Sequence, residues 1–301
     1  MAIVRSFTVG EGDMFYIDHN SNNFTIIDCQ LFGEHKDWLT TEIKKLAKRA
    51  NHITRFISTH PDEDHIEGLE HLDKEISIQN FYVVKNAATK PEPSTSFEHY
   101  CGLRDGDKAY YVSKNCKRKW MNEGDDERGT SGINILWPNT SNEHYKAALQ
   151  DAADGIAFNN ISLVARYSVE GGASFIWIGD LETQFMEDIL DDIDLKETTV
   201  VFAPHHGRKS GKLPNSWLDK LKPKIIVIGE AASRHLYYYG GYNKITQTKA
   251  GDITFEVLGS KVHCYASEAT YLTRDWLDDE KMPNKDFGER DTDWYIGTLN
   301  L

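Results

Sequence analysis

The stretch Ile53-Thr-Arg-Phe-Ile-Ser-Thr59 reads as a β-strand and runs without a break into His60-Pro-Asp62-Glu-Asp64-His65. Ile66, Leu69, Leu72 and Ile76 then recur at near-helical spacing. A strand-to-helix turn holding two imidazoles and three carboxylates is the feature that most narrows what this chain folds into. Alternate side chains of an extended segment share one side, so His60, Asp62 and Asp64 project together while His65 turns the other way. One metal takes His60 and Asp62 and a second takes Asp64 and His65. Mixed imidazole and carboxylate donors suit Zn²⁺, Mn²⁺ or iron, not a thiolate structural site. Acidic residues also favour a first helical turn in their own right, so the turn needs support from elsewhere in the chain.

Two further strand ends supply it. Phe175-Ile-Trp-Ile178 is an apolar run ending in Gly179-Asp180, and Val201-Phe-Ala-Pro204 ends in His205-His206-Gly207. A carboxylate leaving a strand into the same cleft bridges two cations. One histidine of the pair completes the second metal's shell, and the other contacts substrate or acts as an acid. His205 is taken as the ligand and His206 as the catalytic residue, with Asp64 and Asp180 serving both metal and catalysis. Arg208, Lys209 and Lys212 follow directly and are candidate substrate contacts, with a solvated loop as the plain alternative.

The surrounding pattern is α/β. Ile3 to Val9, Met14 to Ile17 and Phe24 to Ile27 are short apolar runs divided by Gly10-Glu-Gly-Asp13 and Asn20-Ser-Asn-Asn23, a meander with turns. Trp38, Leu39, Ile43, Leu46 and Ala47 predict an amphipathic helix over about 35–50. Ile133–Trp137, Ile161–Ala165, Phe175–Ile178, Val200–Ala203 and Ile225–Ile228 predict strands, the last two of the fully buried kind. Ile253–Val257 and Val262–Tyr265 predict a closing hairpin. Residues 85–130 read as an irregular insertion or lid with a helix inside. It carries the basic run Lys114-Asn-Cys-Lys-Arg-Lys119, which is a solvated face or a contact for an anionic substrate. The main domain is set at 1–266. An acidic, aromatic segment is appended at 267–301, where Trp276, Trp294 and Tyr295 pack back or dock a protein partner.

Composition removes several classes. A formal net charge of −13 argues against a tight, non-catalytic DNA binder, since phosphate neutralisation supplies most non-specific affinity. It does not argue against a nuclease, because bound cations reverse the local field. Cys29, Cys101, Cys116 and Cys264 form no C-x-x-C pair, which fits a reducing compartment. No apolar run approaches the ~20 residues of a membrane span, and the first residues lack the pattern of a signal peptide. The expectation is a cytoplasmic chain with no membrane partner.

The chain resembles the metallo-β-lactamase superfamily, and within it the ComEC-like DNA-processing branch. The matching stretches are Phe7-Thr-Val-Gly-Glu-Gly-Asp13, Thr25–Asp28, Ser58–Ile66, Asn134–Pro138, Asn159–Val164, Ile178–Asp180, Pro204–Gly207 and Leu221–Gly229, covering nearly residues 1–265. The resemblance implies a four-layer αββα sandwich, two divalent ions (Zn or Mn), and a hydrolase, with nuclease or phosphodiesterase action on DNA foremost. It assigns His60, Asp62, Asp64, His65, Asp180 and one of His205 and His206 to the metals. The chain departs from the pattern at Asp62, where the commoner motif has histidine, at Glu67 in place of glycine, and at Tyr239-Gly-Gly-Tyr242, which lacks a histidine. No further histidine ligand is evident between the motif and Gly179-Asp180; Asp154, Asn160 and His144 are the candidates in that region. The alternatives are hydrolysis of a small ester or phosphodiester, and a non-catalytic subunit of a larger assembly.

Overall fold

The computed structural model describes residues 1–49, 51, 53–126, 129–272, 274–288 and 292–301. Residue 50 of the expected helix, 127 and 128 of the expected insertion, and 273 and 289–291 of the expected terminal segment lie outside the described residues.

The short β-branched and aromatic runs become strands of two sheets, with helices beside them, so the fold is mixed α/β. The larger sheet, of nine described strands, runs in the order Trp294–Asn300, Lys261–Ala266, Ile253–Leu258, Ala2–Ser6, Phe15–Asp18, Asn23–Ile27, Ile53–Ile57, Asn80–Val83, Ala109–Tyr111. The other, of six, runs Lys244–Thr246, Ile225–Ile228, Val200–Phe202, Ser174–Trp177, Val164–Ser168, Ile133–Trp137. Asn23–Ile27 pairs in parallel with Ile53–Ile57, and Ser174–Trp177 in parallel with Val200–Phe202. These strands end at one edge of the structure, where the motifs lie.

The two sheets meet through large aromatic side chains. Phe15 of the first sheet lies 4.8 Å from Phe202 and 5.9 Å from Trp177 of the second, centroid to centroid. Phe255 is 5.7 Å from Phe175. Rings of this size supply much of the apolar area that holds two sheets together. The helix His35–Arg49 buries Leu39, Ile43, Leu46 and Ala47, the face its spacing predicts. With Leu69–Ile76 and Thr95–Asp105 it forms a row of neighbouring helices packed beside the first sheet.

Three regions differ from the sequence pattern. The strand expected over Ile161–Ala165 begins at Val164, because Asn159–Ile161 forms a 3₁₀ turn and Ser162 is drawn to the Asp180 loop. Residues 85–130 contribute the helix Thr95–Asp105, capped by the Ser94 hydroxyl, and the edge strand Ala109–Tyr111. The terminal segment contributes Trp294–Asn300, antiparallel to Lys261–Ala266. Its Asp293 accepts a 2.8 Å bond from the buried Arg5 guanidinium. No helix among the described residues is long and apolar enough to cross a membrane.

Candidate metal centre

The site grows from four loops at the C-terminal edges of neighbouring strands and from the Gly10–Asp13 turn beside them, the usual place for chemistry in an open α/β sheet. Asp62 ends the extended stretch, and Glu63–Ile66 forms one helical turn that presents Asp64 and His65. Glu63 faces away from the cluster, held by the Ser94 hydroxyl at 2.6 Å and the Lys90 ammonium at 3.1 Å. The Asp13 amide donates to the Asp64 carbonyl at 3.1 Å, which ties the turn to the motif. The approach requires glycine at position 12, where a Cβ would lie 2.5 Å from that carbonyl oxygen. Gly179 has φ of 57°, and a Cβ there would sit 2.7 Å from Ser162 Oγ. The glycine lets the loop turn sharply so that Asp180 points inward.

Asp13, His65, Asp180 and His206 converge, each offering one donor atom within 4.8 Å of the others. Asp180 is the hub. Its Oδ1 lies 3.1 Å from His65 Nε2, and its Oδ2 lies 3.6 Å from both His205 Nε2 and His206 Nε2 and 3.9 Å from His60 Nε2. His206 also reaches Asp13 Oδ1 with Nδ1 at 3.1 Å and Asp64 Oδ2 with Nε2 at 3.3 Å. His205 and His206 both adopt left-handed backbone, φ 52° and 55°, a conformation that costs a non-glycine residue about 1 kcal/mol or more. The consecutive left-handed turns splay the rings, 6.0 Å apart and 80° between planes, so that both face Asp180.

A second layer sets the ring orientations. Asp28 accepts from the Thr59 amide at 2.7 Å and from its hydroxyl at 2.6 Å, and lies 2.8 Å from His65 Nδ1. The Thr59 hydroxyl has one proton and gives it to Asp28, so His60 Nδ1–H donates to the Thr59 oxygen at 3.1 Å. His60 Nε2 is then a free lone pair directed at Asp62, 3.7 Å away, and Asp180. A carboxylate behind a ligating imidazole fixes its tautomer and raises its basicity. His205 Nδ1 is paired with Ser210 Oγ at 3.0 Å.

The donor set fits a cation. His60 Nε2, His65 Nε2 and Asp180 Oδ1 are buried with no hydrogen-bond partner among the described residues; the short His65–Asp180 contact lies off the line of a hydrogen bond. Buried polar atoms in native proteins are almost always satisfied, and three orphans aimed at one another are what a bound ion resolves. The titrations carry the same message. Burial opposes the ionisation of Asp180, yet the His65 and His206 charges outweigh it and hold this carboxyl well below the usual range. Asp64 is drawn down to about 2 against its own burial, by its bond to His206 and the charge of His65. Burial also works against protonation of His206, but Asp13 and Asp180 raise it to about 10. His65 is raised well above its ordinary value against burial by Asp180 and Asp28. The carboxylates demand positive charge, which protonated imidazoles provide when no ion does. Binding an ion displaces those protons, so the apparent affinity for Mn²⁺ or Zn²⁺ rises from pH 6 to pH 8. Calorimetry in buffers of different ionisation enthalpy should read a release of about one or more protons per ion; heats independent of buffer would contradict this.

The expected residues are distributed as follows. His60, Asp64, His65, Asp180, His205 and His206 share one neighbourhood, with Asp62 at its open edge, its side chain 32% exposed. His206, not His205, is the histidine in the tight four-residue group. Asp154 is bonded to Gln150 and His144 is a half-exposed partner of Asp188. Asn160 lies beside the Asp180 loop but exchanges hydrogen bonds with Glu182. Arg208 pairs with Glu11 at 2.8 Å, and Lys212 sits over the Tyr238 ring. The basic run at 114–119 is matched by its own surroundings: Lys114 to Asp194, Lys117 to Glu123, Lys119 to Asp125, and Arg118 over Tyr110. Asp13 and Asp28 are the site residues that local pattern did not single out. The Gly-Glu-Gly-Asp turn, and a lone carboxylate closing the run Thr25-Ile-Ile-Asp28, were the signals available.

No protein-family profile matches the chain. Among curated proteins it is 24% identical over 201 residues to ComE operon protein 3 of Bacillus subtilis (strain 168). That stretch is 67% of this chain and 23% of the relative, so the chain spans less than a quarter of the protein it matches. A mixed α/β fold with a His/Asp cluster able to hold a metal ion, distantly similar to a ComE operon protein, is compatible with a metal-dependent hydrolase.

Proposed function

We propose that the chain is a metal-dependent phosphodiesterase that acts on DNA, built on the four-layer αββα arrangement of the metallo-β-lactamase superfamily. The observation that carries this is the convergence of Asp13, His65, Asp180 and His206 around orphaned buried donors. One ion would be held by Asp13, Asp64, His65, Asp180 and His206. A second would be held by His60, Asp62 and Asp180, which leaves His205 Nε2 free beside it. Two such divalent ions, Zn or Mn, supply an activated water at neutral pH and neutralise charge growing on the phosphoryl oxygens.

The chain's own groups do the rest. Asp28 and Thr59 hold the His65 and His60 rings so that Nε2 faces the reacting side. Of the two paired histidines, His205 is the more available for proton transfer, being only partly buried. Burial keeps its pKa below the ordinary range despite Asp180, and Ser210 steadies its Nδ1. It is then suited to take a proton and pass it to the leaving oxygen. Arg208, Lys209 and Lys212 leave the same loop and hold non-bridging oxygens.

The test is cleavage of end-labelled DNA by metal-loaded protein. Cutting that depends on added Mn²⁺ or Zn²⁺ supports the reading. No cutting by protein shown to contain metal moves it to a smaller ester or phosphodiester. The net charge of −13 and the self-paired basic run at 114–119 are the observations that favour that second reading.

A further inference from the structure

We infer that the loop at 230–242, together with residues 208–212, forms a subsite for a single strand of nucleic acid beside the metal centre. In it the Tyr237 ring stacks on a base, while Arg208, Lys209, Lys212 and Arg234 hold the flanking phosphates. The inference rests on the phosphodiesterase reading for its site and adds which form of substrate is gripped, and by what.

Tyr237 is 80% exposed, the highest value among the large hydrophobic side chains described, and it makes no hydrogen bond or ring contact among the described residues. Its two tyrosine neighbours are engaged: Tyr238 Oη bonds His235 Nδ1 at 2.8 Å, and Tyr239 Oη accepts from the Leu213 amide at 3.2 Å. These contacts pin the loop against the 208–213 segment and leave Tyr237 facing water on a braced base. An aromatic face in water next to cations is the pattern that binds single strands, because every base offers a face to stack whereas paired bases offer none.

The cations form one patch. Arg234 Nε donates to His235 Nε2 at 3.2 Å, which fixes the guanidinium on the turn Ser233–His235. Lys212 Nζ lies 5.6 Å from the Tyr238 ring centroid. Through the Tyr238 side chain, which also bonds His235, Arg234 and Lys212 lie along one contiguous row. No carboxylate pairs with Lys209, Lys212 or Arg234 among the described residues. Arg208 has Glu11, whose side chain is 74% exposed and yields readily to a phosphate. In a chain of net charge −13 this concentration of unpaired cations is complementary to a polyanion. It begins two residues after His206, so a strand seated here leads into the metal centre.

The experiment is fluorescence anisotropy with a labelled thymidine oligonucleotide carrying phosphorothioate linkages, on the metal-loaded full chain, beside a duplex of the same length. The single strand should bind more tightly than the duplex. Tyr237→Ala should weaken it about 10-fold and Tyr237→Phe should retain it. Arg234→Ala should lower the slope of log affinity against log salt by about 0.7. Hydrolysis of bis(p-nitrophenyl) phosphate should be unchanged by Tyr237→Ala, since so small an ester does not reach the subsite. Wild-type affinity and slope in both variants, or a preference for duplex that ignores Tyr237, overturns the inference. Hydrolysis of the small ester without strand binding overturns the subsite and leaves the phosphodiesterase reading standing. Tyr237-dependent strand binding without any hydrolysis supports the subsite and overturns that reading.

Discussion

Asp180→Asn should lower metal-dependent phosphodiester hydrolysis by about 10³-fold, the scale of losing a group that stabilises developing charge, because the ions that would do so lose the carboxylate that holds them. The substitution keeps the shape and removes the anion that four imidazoles face: His60, His65, His205 and His206 all lie within 3.9 Å of this carboxylate. No single neighbouring carboxylate replaces it, because Asp13 and Asp64 hydrogen-bond to His206 while Asp62 lies beside His60. The same change should abolish stabilisation by metal. An ion at 100 times its dissociation constant stabilises a folded chain by about 2.7 kcal/mol, so the wild type melts at higher temperature with metal while the variant does not. Steady-state rates and melting curves with and without Mn²⁺ read both effects. A variant that keeps activity within a few fold would remove Asp180 from the centre.

Arg5→Leu should destabilise the fold by about 3–5 kcal/mol, as expected when one partner of a buried ion network is lost. That is a large share of the 5–15 kcal/mol typical of a whole domain. Arg5 is fully buried on the strand Ala2–Ser6 and faces three carboxylates: Asp293 at 2.8 Å, Asp252 at 3.2 Å and Glu42 at 3.5 Å. These come from the terminal segment, the approach to Ile253–Leu258, and the helix His35–Arg49. The guanidinium is thus the common tie between the last strand and the start of the chain. Without it Asp252 and Asp293 stay buried and lose the cation they share, and protonation relieves the penalty. Burial already raises Asp293 above its ordinary value even with Arg5 beside it. A group whose folded pKa is raised favours the folded state as pH falls, so the gap between variant and wild type narrows from pH 7 towards pH 5. Urea titrations at the two pH values measure this. Equal stability at pH 7 would show that the network contributes nothing net.

The parts of this site that were legible in the sequence are those where chemistry sits at a local boundary. His60 to His65, Gly179-Asp180 and His205-His206 each follow an apolar strand, so position along the chain and position in the fold coincide. Asp13 does not follow that rule. It lies in a glycine turn, and its meaning comes from His206, 193 residues away. Asp28 ends a strand, but its work is to orient His65 across 37 residues. Choosing between His205 and His206 was beyond pattern because their identities are the same. Two successive left-handed residues and the packing of Asp13 against the motif decide which ring enters the four-residue group. The last strand was hidden for a different reason. Trp294–Asn300 is rich in strand-forming side chains, but it follows an acidic stretch and is interrupted by Gly297, so no clear alternation marks it. Pairing with Lys261–Ala266 and the Asp293–Arg5 bond make it one.

The most direct test of the metal centre is anomalous scattering from crystals of the protein grown with Mn²⁺. The account predicts a peak enclosed by Asp13, His65, Asp180 and His206, absent in Asp180→Asn crystals under the same conditions. Manganese bound elsewhere with this group empty, or a peak undiminished in the variant, would contradict it.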